Sequence, residues 1–179
     1  SDAFGRSSQF GDSNQADSPE SGSAPLFSRY YTRPLAPEAV YQSLALVASP
    51  AGKIDPASLV KGRRQWLGKM IEQMNTDEGG EHSLFEQGVQ KSWMLMNDPL
   101  MQRATNSTER GFLHRVATSD LPAEQKIEHL FLAAVSRKPT KTEKKRAQEL
   151  LKQRNDQPEL ALEDIWWALL NSNEFLSDH

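Results

Sequence analysis

The run Ile127-Glu128-His129-Leu130-Phe131-Leu132-Ala133-Ala134-Val135-Ser136-Arg137-Lys138-Pro139-Thr140-Lys141-Thr142-Glu143 decides the fold class. Ile127, Leu130, Phe131 and Ala134 recur at the spacing of one face of an α-helix. Thr140-Lys141-Thr142-Glu143 then has the form of a capping box, in which the Thr oxygen and the Glu carboxylate satisfy each other's free backbone N–H groups. One helix therefore ends and another begins inside this run, the second with apolar positions at Ala147, Leu150 and Leu151.

Downstream, from about Glu159, Leu162, Ile165, Trp166, Leu169 and Leu170 share one side of a last helix and Trp167 lies on another, which predicts a central position. Upstream, Leu121-Pro122 opens the helix of Ile127, Thr108 to Val116 reads as helical, and Asp98-Pro99 caps the helix before it. Ser83-Leu84-Phe85-Glu86 is another capping box, and on its helix Gly88 and Ser92 stand one turn apart, where small residues let a second helix approach. A polar, glycine-bearing loop over 75–81 separates it from a helix begun by Asp55-Pro56 and striped by Trp66, Leu67, Met70, Ile71 and Met74. Ala36-Pro37-Glu38 opens the first helix, with Pro37 where a missing N–H costs nothing, and Ser49-Pro50 ends it. No stretch alternates as a strand, and no long repeat occurs. The expectation is an all-α protein, a compact irregular bundle of about six to seven helices.

The apolar fraction of the 179 residues is 37%, and the shortfall sits in the first third. Residues 1–26 are rich in Ser, Gly and Asp and bury too little surface to offset the entropy of ordering, so they read as a flexible leader to a single helical domain over 27–179. Phe4, Phe10, Phe27, Tyr30 and Tyr31 are the groups by which parts of the leader could dock. A net charge of −3 gives no overall field toward nucleic acid or an anionic membrane. The absence of cysteine excludes disulfides, thiolate metal sites and a c-type haem attachment within these residues. No apolar run is long enough to span a bilayer, and residues 1–20 lack the order of a signal peptide. The start at Ser1 reads as a processed product or a piece of a longer protein.

Candidate sites compete with structural explanations. His82 and Glu86 stand one turn apart, as metal ligands can, yet Glu86 already serves the cap, so no metal is assigned. His129 should face water, and His114 reads as a partly buried structural residue. Gly-x-Ser-x-Gly, Walker and His-Glu-x-x-His motifs are all missing, and no catalytic residue is assigned. Arg137, Lys138, Lys141, Lys144, Lys145 and Arg146 form the densest cationic cluster, but Glu143 and Glu149 interrupt it, and a solvated helix face accounts for it better than a phosphate-contacting edge. Met70, Met74, Met94, Met96 and Met101, with Trp66 and Trp93, fit a core better than a peptide groove. Asn106-Ser107-Thr108 is a glycosylation triplet of a kind that arises often by chance.

Three stretches carry a family resemblance. Tyr30 to Leu44, with Arg33-Pro34-Leu35 and Glu38, is similar to the helix opening of a large family of uncharacterised C-terminal domains. These occur in planctomycete-type multidomain proteins that often carry a cytochrome c module. Phe85 to Leu100, with Met94-Leu95-Met96-Asn97-Asp98-Pro99, resembles that family's "LLN-x-P" segment. Ile127 to Thr140, followed by Trp167-Ala168-Leu169-Leu170-Asn171-Ser172-Asn173-Glu174-Phe175-Leu176, resembles its C-terminal signature. The resemblance extends over about residues 27–179. It implies the C-terminal domain of a larger extracytoplasmic protein, periplasmic or secreted, with any haem module upstream. No catalytic residue is carried over from it, and no cofactor is assigned to this chain. Some relatives continue the Phe4-Gly5-Arg6 region into a cysteine-bearing segment, which this chain lacks.

Asn171 and Ser172 suit a helix end, and Asn173 is expected near the Leu162, Trp166 and Leu169 face. The residues proposed from sequence for ligand binding are Trp167, Asn173, Glu174, Tyr30 and Tyr31. The leading reading is a non-catalytic interaction or scaffolding domain that packs against upstream domains or another protein. A carbohydrate-associated binding or hydrolase-accessory module is the alternative, with polysaccharide as partner, and two convergent carboxylates in a cleft would favour hydrolysis. Nucleic-acid binding along Arg137 to Arg146 ranks last.

Overall fold

The computed structural model describes residues 26, 28, 33–50, 55–75, 96–155 and 157–178, without the side chains of 70–75 and 178. Residues 1–25 of the leader, with Phe4 and Phe10, and Phe27, Tyr30, Tyr31, His82, the Ser83 capping box, Gly88, Ser92, Trp93 and Met94 lie outside the described residues, as do the side chains of Met70, Ile71 and Met74.

Local chemistry sets most helix starts. Helix α1, Pro37–Ala48, begins with proline after the extended Ala36 and turns Val40, Tyr41, Leu44 and Ala45 inward. At its end the Ser49 hydroxyl donates to the Ala45 carbonyl at 2.7 Å. Helix α2, Pro56–Asn75, starts where the Asp55 carboxylate accepts from the backbone N–H groups of Ala57 and Ser58. Helix α3, Pro99–Thr105, is capped by Asp98, which accepts from Leu100 N at 2.7 Å. The second oxygen of Asp98 accepts from the Trp66 indole at 3.0 Å, so one carboxylate both starts α3 and fixes the inward ring of α2.

The helix expected over Thr108 to Val116 is shorter in the structure: α4 spans Phe112–Ala117. Asn106 takes the N–H and hydroxyl of Thr108 on its side-chain oxygen, and a short polar side chain that bonds locally competes with helix formation. Gly111 begins α4 hard against α1, where an added Cβ would sit 2.6 Å from the Val47 carbonyl oxygen. Helices α5, Ala123–Val135, α6, Lys141–Gln153, and α7, Pro158–Leu170, complete the set of seven helices among the described residues.

A correction to the reading without strands is small: β1, Arg33–Pro34, pairs antiparallel with β2, Ser177–Asp178. Leu35 N adds a hydrogen bond to the Leu176 carbonyl at 2.8 Å. Two-residue strands carry no alternation to read, and this ladder forms because the two segments meet at the bundle's edge. The architecture is all-α, with α1 packed on α2, α3 and α4, and α7 packed on α3, α4, α5 and α6.

A single apolar cluster runs through these helices, with Leu44, Met101, Leu113, Ile127, Leu130, Trp166 and Leu170 fully buried. Helix α7 is central, as expected, but one broad face does the packing: Trp167 is 39% exposed. Trp166 joins the two halves, with its ring 5.1 Å from Phe112 and its indole N–H donating to the buried Ala104 carbonyl at 3.0 Å. Among the described residues no helix is long and apolar enough to cross a membrane.

Candidate functional site

The turn after α5 and the segment after α7 close on one guanidinium. Ser136 follows α5 in the left-handed region, at φ 55°, and turns the chain so that Arg137 leaves the helix end. From there Arg137 Nε and Nη2 donate to the two oxygens of Glu174, at 2.6 and 2.7 Å. Its Nη1 and Nη2 donate to the two oxygens of Glu143, at 2.9 and 2.8 Å. Nη1 also reaches the Lys138 carbonyl at 3.1 Å, and the guanidinium carbon lies 5.7 Å from the centre of the Phe131 ring. A planar fork of donors suits two bidentate carboxylates, which an ammonium could not match.

Each carboxylate is placed by local sequence. Glu143 is the third residue of the Thr140 capping box, which is formed in full: Glu143 accepts from the Thr140 N–H, and the Thr140 hydroxyl accepts from the Glu143 N–H. Glu174 is placed by the turn after α7. There the Asn171 side chain donates to the Trp167 carbonyl, the Ser172 hydroxyl donates to the Leu169 carbonyl, and Phe175 N–H donates back to that hydroxyl before its ring is buried. The role expected for Asn171 and Ser172 at a helix end is the one they have.

The Arg137 guanidinium, and then the Thr140 donors, hold the Glu143 carboxyl down to about 2 against the opposing effect of burial. Glu143 first, then Glu174, raises Arg137 further above its ordinary value. Two carboxylates do converge here, as a glycoside hydrolase requires, but they converge on a cation. A general acid must keep its proton near neutrality, and Glu143 does not.

Of the other residues proposed from sequence, Tyr30 and Tyr31 lie outside the described residues, and Trp167 and Asn173 take no part in that network. Trp167 presents its ring partly to solvent from α7. Asn173 falls beyond the helix, which ends at Leu170, and is exposed rather than on the face of Leu162, Trp166 and Leu169. A cavity of about 90 Å³ opens elsewhere, between Ala117, Lys126, Leu151, Pro158 and Leu162. It is well below the several hundred Å³ of a small-molecule site, and its amine, Lys126 Nζ, already donates to the Ala117 carbonyl at 2.7 Å.

Other candidates take structural duties. His114 Nδ1 bonds the Ser107 carbonyl at 2.7 Å, and Glu163 accepts from Ser107 N at 2.7 Å, so together they pin the turn before α4. His129 is exposed and bonds the Gln125 carbonyl within its own helix. In the cationic cluster, Lys138 pairs with Glu128, Lys144 with Glu124 and Lys145 with Glu149. No group of three or more metal-ligating side chains occurs among the described residues.

Sequence reasoning had placed Arg137 in a solvated cluster and missed its part as a hub. Glu163 was missed as well. Arg137 and Glu174 are 37 residues apart, and no local period links them. The one available signal is the sequence resemblance that groups Ile127 to Thr140 with Trp167 to Leu176. Compared with protein-family models, curated proteins and solved structures, the chain matches none.

Proposed function

We propose that this chain is a non-catalytic interaction domain, a unit of a longer extracytoplasmic protein that packs against upstream domains or a separate protein. The observation that supports it best is the use made of the C-terminal signature: Arg137, Glu143, Thr140 and Ser172 are engaged with one another or with backbone. The surface also carries large apolar side chains, Leu46, Val60, Leu132 and Trp167, of a kind a partner can cover. The extracytoplasmic setting rests on the family resemblance alone.

Hydrogen exchange tests this directly, measured on the isolated chain and on a longer protein that contains it. The reading expects slowed exchange on outer helix surfaces in the longer protein. Identical exchange in both, together with turnover of any glycan by the isolated chain, sinks it.

The half-exposed Trp167 ring favours a second reading, a carbohydrate-associated module, since sugars stack on such rings. A Trp167→Ala variant that loses glycan binding while keeping its melting temperature would move this reading to first place.

A further inference from the structure

The connection from α3 to α4 carries the chain's single Asn-x-Ser/Thr triplet, Asn106-Ser107-Thr108. The triplet alone decides nothing, because such sequences arise by chance. Its setting adds two observations. Asn106 and Thr108, the two ends of the triplet, are exposed, and Asn106 follows α3 in extended backbone, at φ −88° and ψ 122°. Within the turn the side-chain oxygen of Asn106 accepts from the Thr108 N–H at 2.8 Å and from the Thr108 hydroxyl at 2.7 Å.

Both of these bonds fall on the amide oxygen and neither uses the amide nitrogen. A glycosylated asparagine keeps its carbonyl oxygen as an acceptor, so the turn survives attachment of a sugar at Nδ2. The rest of the turn is held without that nitrogen as well. Ser107 N–H donates to Glu163 Oε1 at 2.7 Å, and the Ser107 carbonyl bonds His114 Nδ1 at 2.7 Å. The fold thus presents the triplet at the surface and fixes it by groups that the modification leaves untouched.

We infer that Asn106 is the acceptor of an N-linked oligosaccharide, transferred by an oligosaccharyltransferase from a lipid pyrophosphate donor. This rests on the extracytoplasmic setting proposed above, where such transferases act. In the transfer Asn106 Nδ2 bonds to the anomeric carbon of the first sugar. The bond from that carbon to the pyrophosphate oxygen breaks, and its electron pair leaves with the lipid pyrophosphate. Nδ2 gives up one proton to the transferase, and the two donors on Oδ1 favour that loss by stabilising the charge that develops on the oxygen. A sugar chain at this position keeps the α3–α4 turn in solvent, so a partner docks on other surfaces.

Mass spectrometry of the protein purified from its natural source tests the inference. Arg103 and Arg110 bracket the triplet, so trypsin releases Ala104–Arg110 with Asn106 as its sole asparagine. The peptide is expected to be heavier by an oligosaccharide, and an amidase that cuts the sugar–asparagine bond should release that mass and leave an aspartate. A second arm translates the whole chain behind a signal peptide in the presence of rough microsomes, which supply transferase and donor. Wild type and Thr108→Ser should each gain one glycan there, and Asn106→Gln and Thr108→Ala none. An unmodified peptide from an exported protein overturns the inference and leaves the extracytoplasmic setting standing. Recovery of the protein from the cytoplasm overturns both. Sugar that survives the amidase sits on the Ser107 or Thr108 hydroxyl and overturns the assignment to Asn106, as does a glycan gained by Asn106→Gln or none gained by wild type in microsomes.

Discussion

Replacing Arg137 by Ala removes the donor that joins the α5–α6 turn to the segment after α7. Its side chain is 36% exposed, and those of Glu143 and Glu174 are 33% and 31% exposed, so the pairs stand between surface ion pairs and buried ones. Exposed pairs contribute about 0.2 to 1 kcal/mol each. With bidentate geometry and partial burial, about 1 kcal/mol for each carboxylate is reasonable after screening. The contact with Phe131 adds about 0.5 kcal/mol. Arg137→Ala should therefore destabilise the fold by about 2 to 3 kcal/mol, lowering the melting temperature by roughly 4 to 12 °C in a domain of this size. Arg137→Lys keeps the charge without the fork and should lose about half as much. Urea denaturation of wild type, both Arg137 variants, Glu174→Gln and the Arg137→Ala, Glu174→Gln double variant supplies the numbers, with a coupling of about 1 kcal/mol expected. If Arg137→Ala loses less than about 0.5 kcal/mol, or if Arg137→Lys matches wild type, the joint is not what holds this end of the fold.

Acid should weaken the same joint. Glu143 titrates lower in the fold than its ordinary 4.5, at about 2, so its contribution is complete above pH 4.5 and disappears as pH falls toward 2. Melting temperature followed over that range should drop less steeply in Arg137→Ala than in wild type. Gly111→Ala would drive a methyl group into the Val47 carbonyl, and a loss of about 1 to 3 kcal/mol is expected from denaturation curves. Trp166→Phe strands the buried Ala104 carbonyl and should cost about 2 to 4 kcal/mol, against about 1 kcal/mol for Trp66→Phe, whose partner Asp98 is only part-buried and keeps its bond to Leu100 N.

The fold was legible wherever its signals are local. Proline at the first position of α1, Asp55 and Asp98 before prolines, and the Thr140 capping box each name a helix start from a few adjacent residues, and the structure begins helices there. The α5 and α7 stripes likewise give the buried residues almost directly. What escaped depends on distance along the chain or on competition. The α4 start moved because Asn106 and Gly111 shape the turn before it, and periodicity does not see turns. The β1–β2 ladder joins residues from opposite ends of the described chain. For the site, Arg137 looked like one lysine-rich cluster member among six, because nothing in the spacing of Glu143 and Glu174 shows that they share a cation. Asn173 was placed by extending helical angles past Leu170, where the helix has already stopped.

Arg137, Glu143 and Glu174 form a structural joint and not a ligand site. Thermal melting of the chain against a panel of polysaccharide fragments and divalent metals addresses it directly, because a ligand that binds only the folded state must raise its stability. Unchanged melting across the panel is expected for wild type, beside the large fall caused by Arg137→Ala alone. A reproducible rise with one glycan, abolished by Trp167→Ala or Asn173→Ala, would contradict it and make the surface around α7 a binding site.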